Sequence, residues 1–173
     1  MMVLFGGGAQ AALVGDIVDC STTTVGLNCS PSSAEVEGGG ATNVEFGIFA
    51  NTFFTVNLND LSVLFIFNNA FQAEPSLSVT ISDMDFSTGD VLVGFDNLQI
   101  SSGLNGFSAS DISTTADSFT VDLGDASAGT DGEMFSFDFV TGPAATVPLP
   151  AAIWMLGGAL FLLGAGRRMS RAA

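Results

Sequence analysis

Residues 1–166 contain no Lys, Arg or His, and the whole chain contains no Tyr. Chemistry in this stretch falls to carboxylates, hydroxyls and two thiols, because a Ser-His-Asp triad, a His-bound metal, a Lys Schiff base and a Tyr acid all need absent residues. Two groups of carboxylates stand out. Asp83, Asp85 and Asp90 surround Phe86-Ser87-Thr88-Gly89, and hard cations take several carboxylate and carbonyl oxygens at once, so this stretch is a candidate calcium loop. It is not an EF-hand: the sixth position from Asp83 is Thr88 and the twelfth is Gly94, where that loop needs Gly and Glu. The second group, Asp122, Asp125, Asp131 and Glu133, matches no ligand spacing. Solvated turn carboxylates are the competing reading of both. Glycoside hydrolysis needs two carboxylates across a cleft, and with 18 acids in the chain a pair by itself carries no information. The sequence therefore predicts no enzyme and requires no cofactor, with calcium the one candidate ligand.

Sugar binding without chemistry usually rests on exposed aromatic rings. The one Trp, Trp154, lies in an apolar segment near the C-terminus, and Phe107 is the aromatic that the pattern places on a loop. A glycan-binding module is thus an alternative with little visible support. Cys20 and Cys29 flank Ser21 to Asn28. In an exported chain two such cysteines read as a disulfide. A redox pair is disfavoured, because the spacing is not C-x-x-C and no cation is at hand to lower a thiol pKa.

The elements that must position these groups follow a period of two. Leu77, Val79 and Ile81 alternate with Ser78, Thr80 and Ser82, and Phe135, Phe137 and Phe139 alternate with Ser136 and Asp138; each is a half-buried strand. Noisier runs at Val44–Phe49, Phe53–Leu58, Leu61–Phe67, Val91–Ile100 and Ser118–Leu123 complete a set of short strands separated by turn residues. The expected fold is all-β, an antiparallel, jelly-roll-like β-sandwich ectodomain, with one C-terminal transmembrane helix. Leu61–Phe67 should be a central strand covered on both faces, Ser30–Thr42 an exposed loop, and Asp131-Gly132 a hairpin turn. The acidic balance, −15 overall, excludes nucleic acid and anionic lipid as partners of this domain.

Both ends carry addressing features. Ala9-Gln10-Ala11 has the small-x-small form of a signal-peptidase site, which places cleavage before Ala12. The apolar segment in front is short and lacks basic residues, so residues 1–11 read as the remnant of a longer leader whose start lies upstream. Val147 to Gly166 is a 20-residue run without charge, followed by Arg167, Arg168 and Arg171. At about 1.5 Å per residue such a helix reaches about 30 Å, enough to cross a bilayer core. The arginines are the membrane stop and place the C-terminus in the cytoplasm. Its leucines and phenylalanine are diluted by Gly157, Gly158, Gly164 and Gly166, which makes insertion weak.

The order of Val147, Pro148, Leu149, Pro150 and Ala151, then a glycine-rich apolar helix, then a basic tail, resembles the VPLPA-CTERM sorting signal. That signal is related to the PEP-CTERM class, carried by exported proteins of Gram-negative bacteria that make extracellular polymeric material. The resemblance covers residues 147–173 and implies recognition at 147–151 by a membrane-embedded exosortase. The preceding segment resembles the sandwich ectodomains common on such proteins, without a specific motif. The expected organisation is a leader remnant at 1–11, an acidic sandwich at 12–141, a linker at 142–146 and the sorting signal at 147–173. The expected function is that of an exported, exosortase-processed surface or matrix protein. It would pass through an inner-membrane intermediate to the cell surface or beyond, with extracellular polysaccharide as a further partner. The alternative is a calcium- or glycan-binding extracellular module.

Overall fold

Alternation of apolar and polar residues is realised as antiparallel sheet throughout the computed structural model, which describes residues 12–24, 26–38, 44–49, 51, 53–72 and 76–144. The described strands are β1 (Ile17–Thr22), β2 (Cys29–Ser30), β3 (Ser33–Glu35), β4 (Phe46–Ile48), β5 (Phe54–Leu58), β6 (Ser62–Phe67) and β7 (Phe71–Gln72). They continue with β8 (Ser78–Ser82), β9 (Asp90–Ile100), β10 (Leu104–Asn105), β11 (Ile112–Thr114), β12 (Phe119–Asp122), β13 (Ser127–Ala128) and β14 (Met134–Pro143). One sheet runs β11-β12-β8-β1-β3 and a second runs β2-β4-β5-β6-β14-β9; a small third sheet is β10-β13-β7. The fold is all-β and sandwich-like. Among the described residues no helix is long and apolar enough to cross a membrane, and the run at 147–166 lies outside them.

Facing sides of the two large sheets build one core. From the first come Val18, Val79, Ile81, Phe119 and Val121; from the second come Phe46, Phe54, Val56, Val63, Phe65, Phe135 and Phe137, all buried. Phe119 meets Phe137 edge-on, with ring centroids 5.4 Å apart, and lies 5.5 Å from Phe139. These rings join the sheets across the layer, an arrangement that suits the aromatic quadrupole. Along the second sheet Phe65 stacks on Phe135 at 4.4 Å, in register as direct strand partners. Outward positions of the first sheet are polar apart from the exposed Ile17, and Ser21, Thr80, Thr120 and Ser113 fall in one row across four strands. The Thr80 and Thr120 hydroxyls bond at 2.8 Å.

Every run with period two became a strand, with four differences of detail. The segment Leu61–Phe67 is central, but its Leu64 and Ile66 face is half-exposed; the strands buried along their whole length are β4 and β5. Ser30–Thr42 is not all loop, because β3 within it pairs with β1. Asp131-Gly132 forms a turn with Gly132 at φ 85° but not a hairpin, since β13 pairs with β10 and β7 and β14 with β6 and β9. Gly142 and Pro143, expected to open a linker, instead continue β14, opposite Val91 and Asp90 of β9, and residues 145 and 146 lie outside the described residues. Pro143 fits at the strand's last residue, where the missing N–H interrupts no further pairing.

Cys20 and Cys29 are bonded to each other, with Cα atoms 5.9 Å apart. They tie β1 in the first sheet to β2 in the second. Closing so short a loop restricts the unfolded chain by about 2.5–3 kcal/mol. A C20S/C29S variant should lose about that much stability, and Phe135→Ala, which removes a ring fully buried between Phe65 and Phe107, about 3–5 kcal/mol. Urea unfolding of each variant against the parent checks both; Phe135→Ala within 1 kcal/mol of the parent would contradict this account of the core.

Candidate functional site

Turn β5–β6 is the tightest in the second sheet. The Asn59 N–H bonds the Ser62 carbonyl at 2.8 Å, and the Asp60 carbonyl accepts the N–H of Leu13 at 3.2 Å. Beside it an open groove of about 460 Å³ is lined by Gly38, Asn59, Asp60, Ser62, Asp96 and Asp138, with Leu61 and Phe139 beneath. Strand register explains the acidity. Asp138 on β14 lies directly between Ser62 of β6 and Asp96 of β9, so two carboxylates are direct cross-strand neighbours, a repulsive arrangement. A bulge follows, with Asn97 at φ 51°, and the Asn97 amide donates to Asp138 Oδ2 at 2.8 Å. The bulge thus brings a neutral donor to a charge with no cation to pair with.

Glu45 immediately precedes β4. It is 5 % exposed, and its Oε2 accepts the Leu58 N–H at 2.7 Å. Its Oε1 accepts no hydrogen bond among the described residues. Burial pushes the carboxyl above its ordinary value of 4.5, opposed by N–H groups of Leu58, Glu45 itself and Glu37, and reinforced slightly by the Glu37 charge. Glu133 behaves oppositely. Ser101 Oγ donates to its Oε2, Gly103 N–H bonds the same oxygen at 3.2 Å, and Thr130 Oγ1 reaches Oε1 at 3.1 Å. The Ser101 bond foremost, then those from Thr130 and Gly103, hold the carboxyl below its ordinary value against desolvation. This carboxylate ties the turn after β9 to the turn before β14. A Cβ at position 103 would lie 1.8 Å from Glu133 Oε1, so a side chain there would displace this carboxylate from its bonds.

The calcium loop is not assembled. Asp83 and Asp85 are exposed on either side of buried Met84, and Asp90 opens β9, where its Oδ2 accepts the Thr88 hydroxyl at 2.8 Å. The Asp85 N–H is turned toward Asp16 Oδ2, at 2.6 Å. Strand-like alternation sends Met84 and Phe86 inward and splits the acids around them. No group of three or more Asp, Glu, Cys or His side chains among the described residues is placed to hold a metal ion. Phe107 lies on a loop, as expected, but its ring is buried: it is 7 % exposed and packs 4.2 Å from Phe135. Among the described residues the exposed aromatic is Phe49, at 52 %. Sequence reasoning passed over Glu45 and Phe49 together because both belong to Val44–Phe49, read there simply as a strand. Val147, Pro148, Leu149, Pro150, Ala151, Arg167, Arg168 and Arg171 lie outside the described residues. Comparison with protein families, curated proteins and solved structures finds no match to this chain.

The two shifted glutamates give opposite pH signatures. Glu45 binds its proton more tightly folded than unfolded, so its contribution to stability rises as pH falls through its raised pKa. The contribution of Glu133 is present above the ordinary glutamate range and is lost as pH falls through its lowered pKa. Thermal melting from about pH 7 to about pH 3 should show Glu45→Gln gaining less than the parent on mild acidification. Glu133→Gln should converge on the parent at the acidic end. Parallel curves for Glu45→Gln and the parent would refute the assignment to Glu45.

Proposed function

We propose that this chain is an exported, non-enzymatic surface or matrix protein, an acidic sandwich held briefly in the inner membrane by its C-terminal segment and processed by an exosortase at Val147–Ala151. The observation that carries the reading is the order of that pentapeptide, a 20-residue uncharged run and three arginines. The described part of the chain is compatible with it. A disulfide suits an oxidising compartment, and a surface whose ionisable groups are all acidic, apart from chain ends, favours solubility outside the cell. Strands pass repeatedly between the two sheets, as from β8 to β9 and from β12 to β14 by way of β13, which supports the jelly-roll-like variant of the sandwich. Extracellular polysaccharide is the partner class proposed for the mature domain.

Processing is checked by mass spectrometry of the exported protein from the native cell. The expected mass lacks Arg167, Arg168 and Arg171, and a P148A/P150A variant should retain them and stay with the membrane fraction. An exported wild-type protein that still carries Arg171 would make the tail a permanent anchor and end this reading.

A further inference from the structure

Bulky side chains rarely occupy the left-handed region of backbone space, and one that does so while exposed is held there by its surroundings. Phe49 has φ 54° and is 52 % exposed. It follows β4 at one end of the six-stranded sheet, and the turn it begins is tied down on several sides. Its N–H bonds the Asn28 carbonyl at 3.1 Å, and the Phe53 N–H reaches the Ile48 carbonyl at 3.4 Å. The Asn68 N–H bonds the Phe53 carbonyl at 2.9 Å, and the Asn68 side-chain amide bonds the Asn51 carbonyl at 2.9 Å. Asn51, itself at φ 66°, lies so close over Gly47 that a Cβ there would fall 1.4 Å from its Oδ1. The half-buried Phe53 ring stands 5.6 Å from that of Phe49, tilted by 53°. Exposed Asn28 and half-buried Asn68 bring amide side chains to the same end of the sheet.

From this geometry we propose that Phe49, backed by Phe53, is a platform for one sugar ring of an uncharged polysaccharide. The ring face offers dispersion and C–H contact to the apolar face of a pyranose, while amides are suited to its hydroxyls. An uncharged ligand follows from the electrostatics: residues 12–144 hold no cationic side chain, so a uronate or sulfated glycan would be repelled. The inference rests on the surface-protein reading for its ligand class alone.

Affinity electrophoresis of the purified full chain in neutral detergent tests it, with laminarin, galactomannan and soluble starch as uncharged probes and polygalacturonate as the anionic one. At least one uncharged polymer should retard the protein and polygalacturonate should not. Phe49→Ala and Phe49→Gly should each weaken retardation at least tenfold, and Phe49→Trp should retain it. The melting temperature of Phe49→Gly should equal or exceed the parent's, since glycine accepts this backbone conformation without strain. No retardation by any uncharged polymer, undiminished retardation of Phe49→Gly, or a lowered melting temperature for that variant would each overturn the proposal. So would flotation with phosphatidylcholine vesicles that depends on Phe49 while no polysaccharide binds. These assays do not involve processing, so their failure leaves the sorting reading standing, and failure of the sorting test leaves theirs.

Discussion

Carboxylates without cations set the terms for this fold. Residues 12–144 carry no Lys, Arg or His, so each acid there must be satisfied by N–H and O–H groups, by water, or by holding its proton. The structure uses these means at different depths. Asp138 takes an Asn amide, Glu133 takes two hydroxyls and a backbone N–H, and Asp122 takes the N–H of Gly124 at 2.9 Å. Glu45, the buried carboxylate, is pushed toward its protonated form. Hydrogen bonds to a charged acceptor contribute more than neutral ones, and here they stand where salt bridges would in a chain of mixed charge.

Mutual repulsion among these acids must be offset elsewhere, and the offset is aromatic. The rings form two groups of contacts: Phe54, Phe65, Phe67, Phe107 and Phe135 along the second sheet, and Phe137 and Phe139 reaching across to Phe119 of the first. Repulsion also has a use. Strand β9 is a long edge, open to pairing with another chain, and it carries Asp90 and Asp96 with a bulge at Asn97. A second copy approaching that edge would meet like charge and an irregular register.

The layers of this fold were legible in the sequence, because period-two patterning is the direct imprint of a sheet with one face buried; Leu77–Ser82 and Phe135–Phe139 could hardly be read otherwise. What was not legible came from pairing between distant segments. Asp96 and Asp138 are 42 positions apart by number, and only the β9–β14 register makes them neighbours. Glu45 lies in an unremarkable stretch until the Leu58 N–H of the next strand closes on it. The acids of the candidate calcium loop are held apart for a local reason that patterning contains: Met84 and Phe86 are apolar at alternate positions, so both anchor inward, and Asp83 and Asp85 beside them face solvent. Phe107 and Phe49 exchanged roles because loop position alone does not decide burial. Phe107 lies close against Phe135, whereas Phe49 is turned outward by a backbone conformation that a sequence pattern does not encode.

Position 49 is therefore where the fold departs from its own economy. Elsewhere the left-handed conformations fall on glycine, asparagine or aspartate, at Gly15, Gly26, Gly38, Gly89, Gly106, Gly132, Asn51, Asn97 and Asp83, residues that adopt it readily. Phe49 alone among the described residues combines that conformation with a large apolar side chain and broad exposure. Core packing does not account for it, since the half-exposed ring gains only part of the burial that its neighbours Phe46 and Phe54 gain in full. Local hydrogen bonding does not require it either, because the Phe49 N–H to Asn28 carbonyl bond needs a backbone amide and no particular side chain. A residue whose conformation is strained and whose side chain is under-used in the folded chain by itself is accounted for most simply by something outside the chain that the ring contacts.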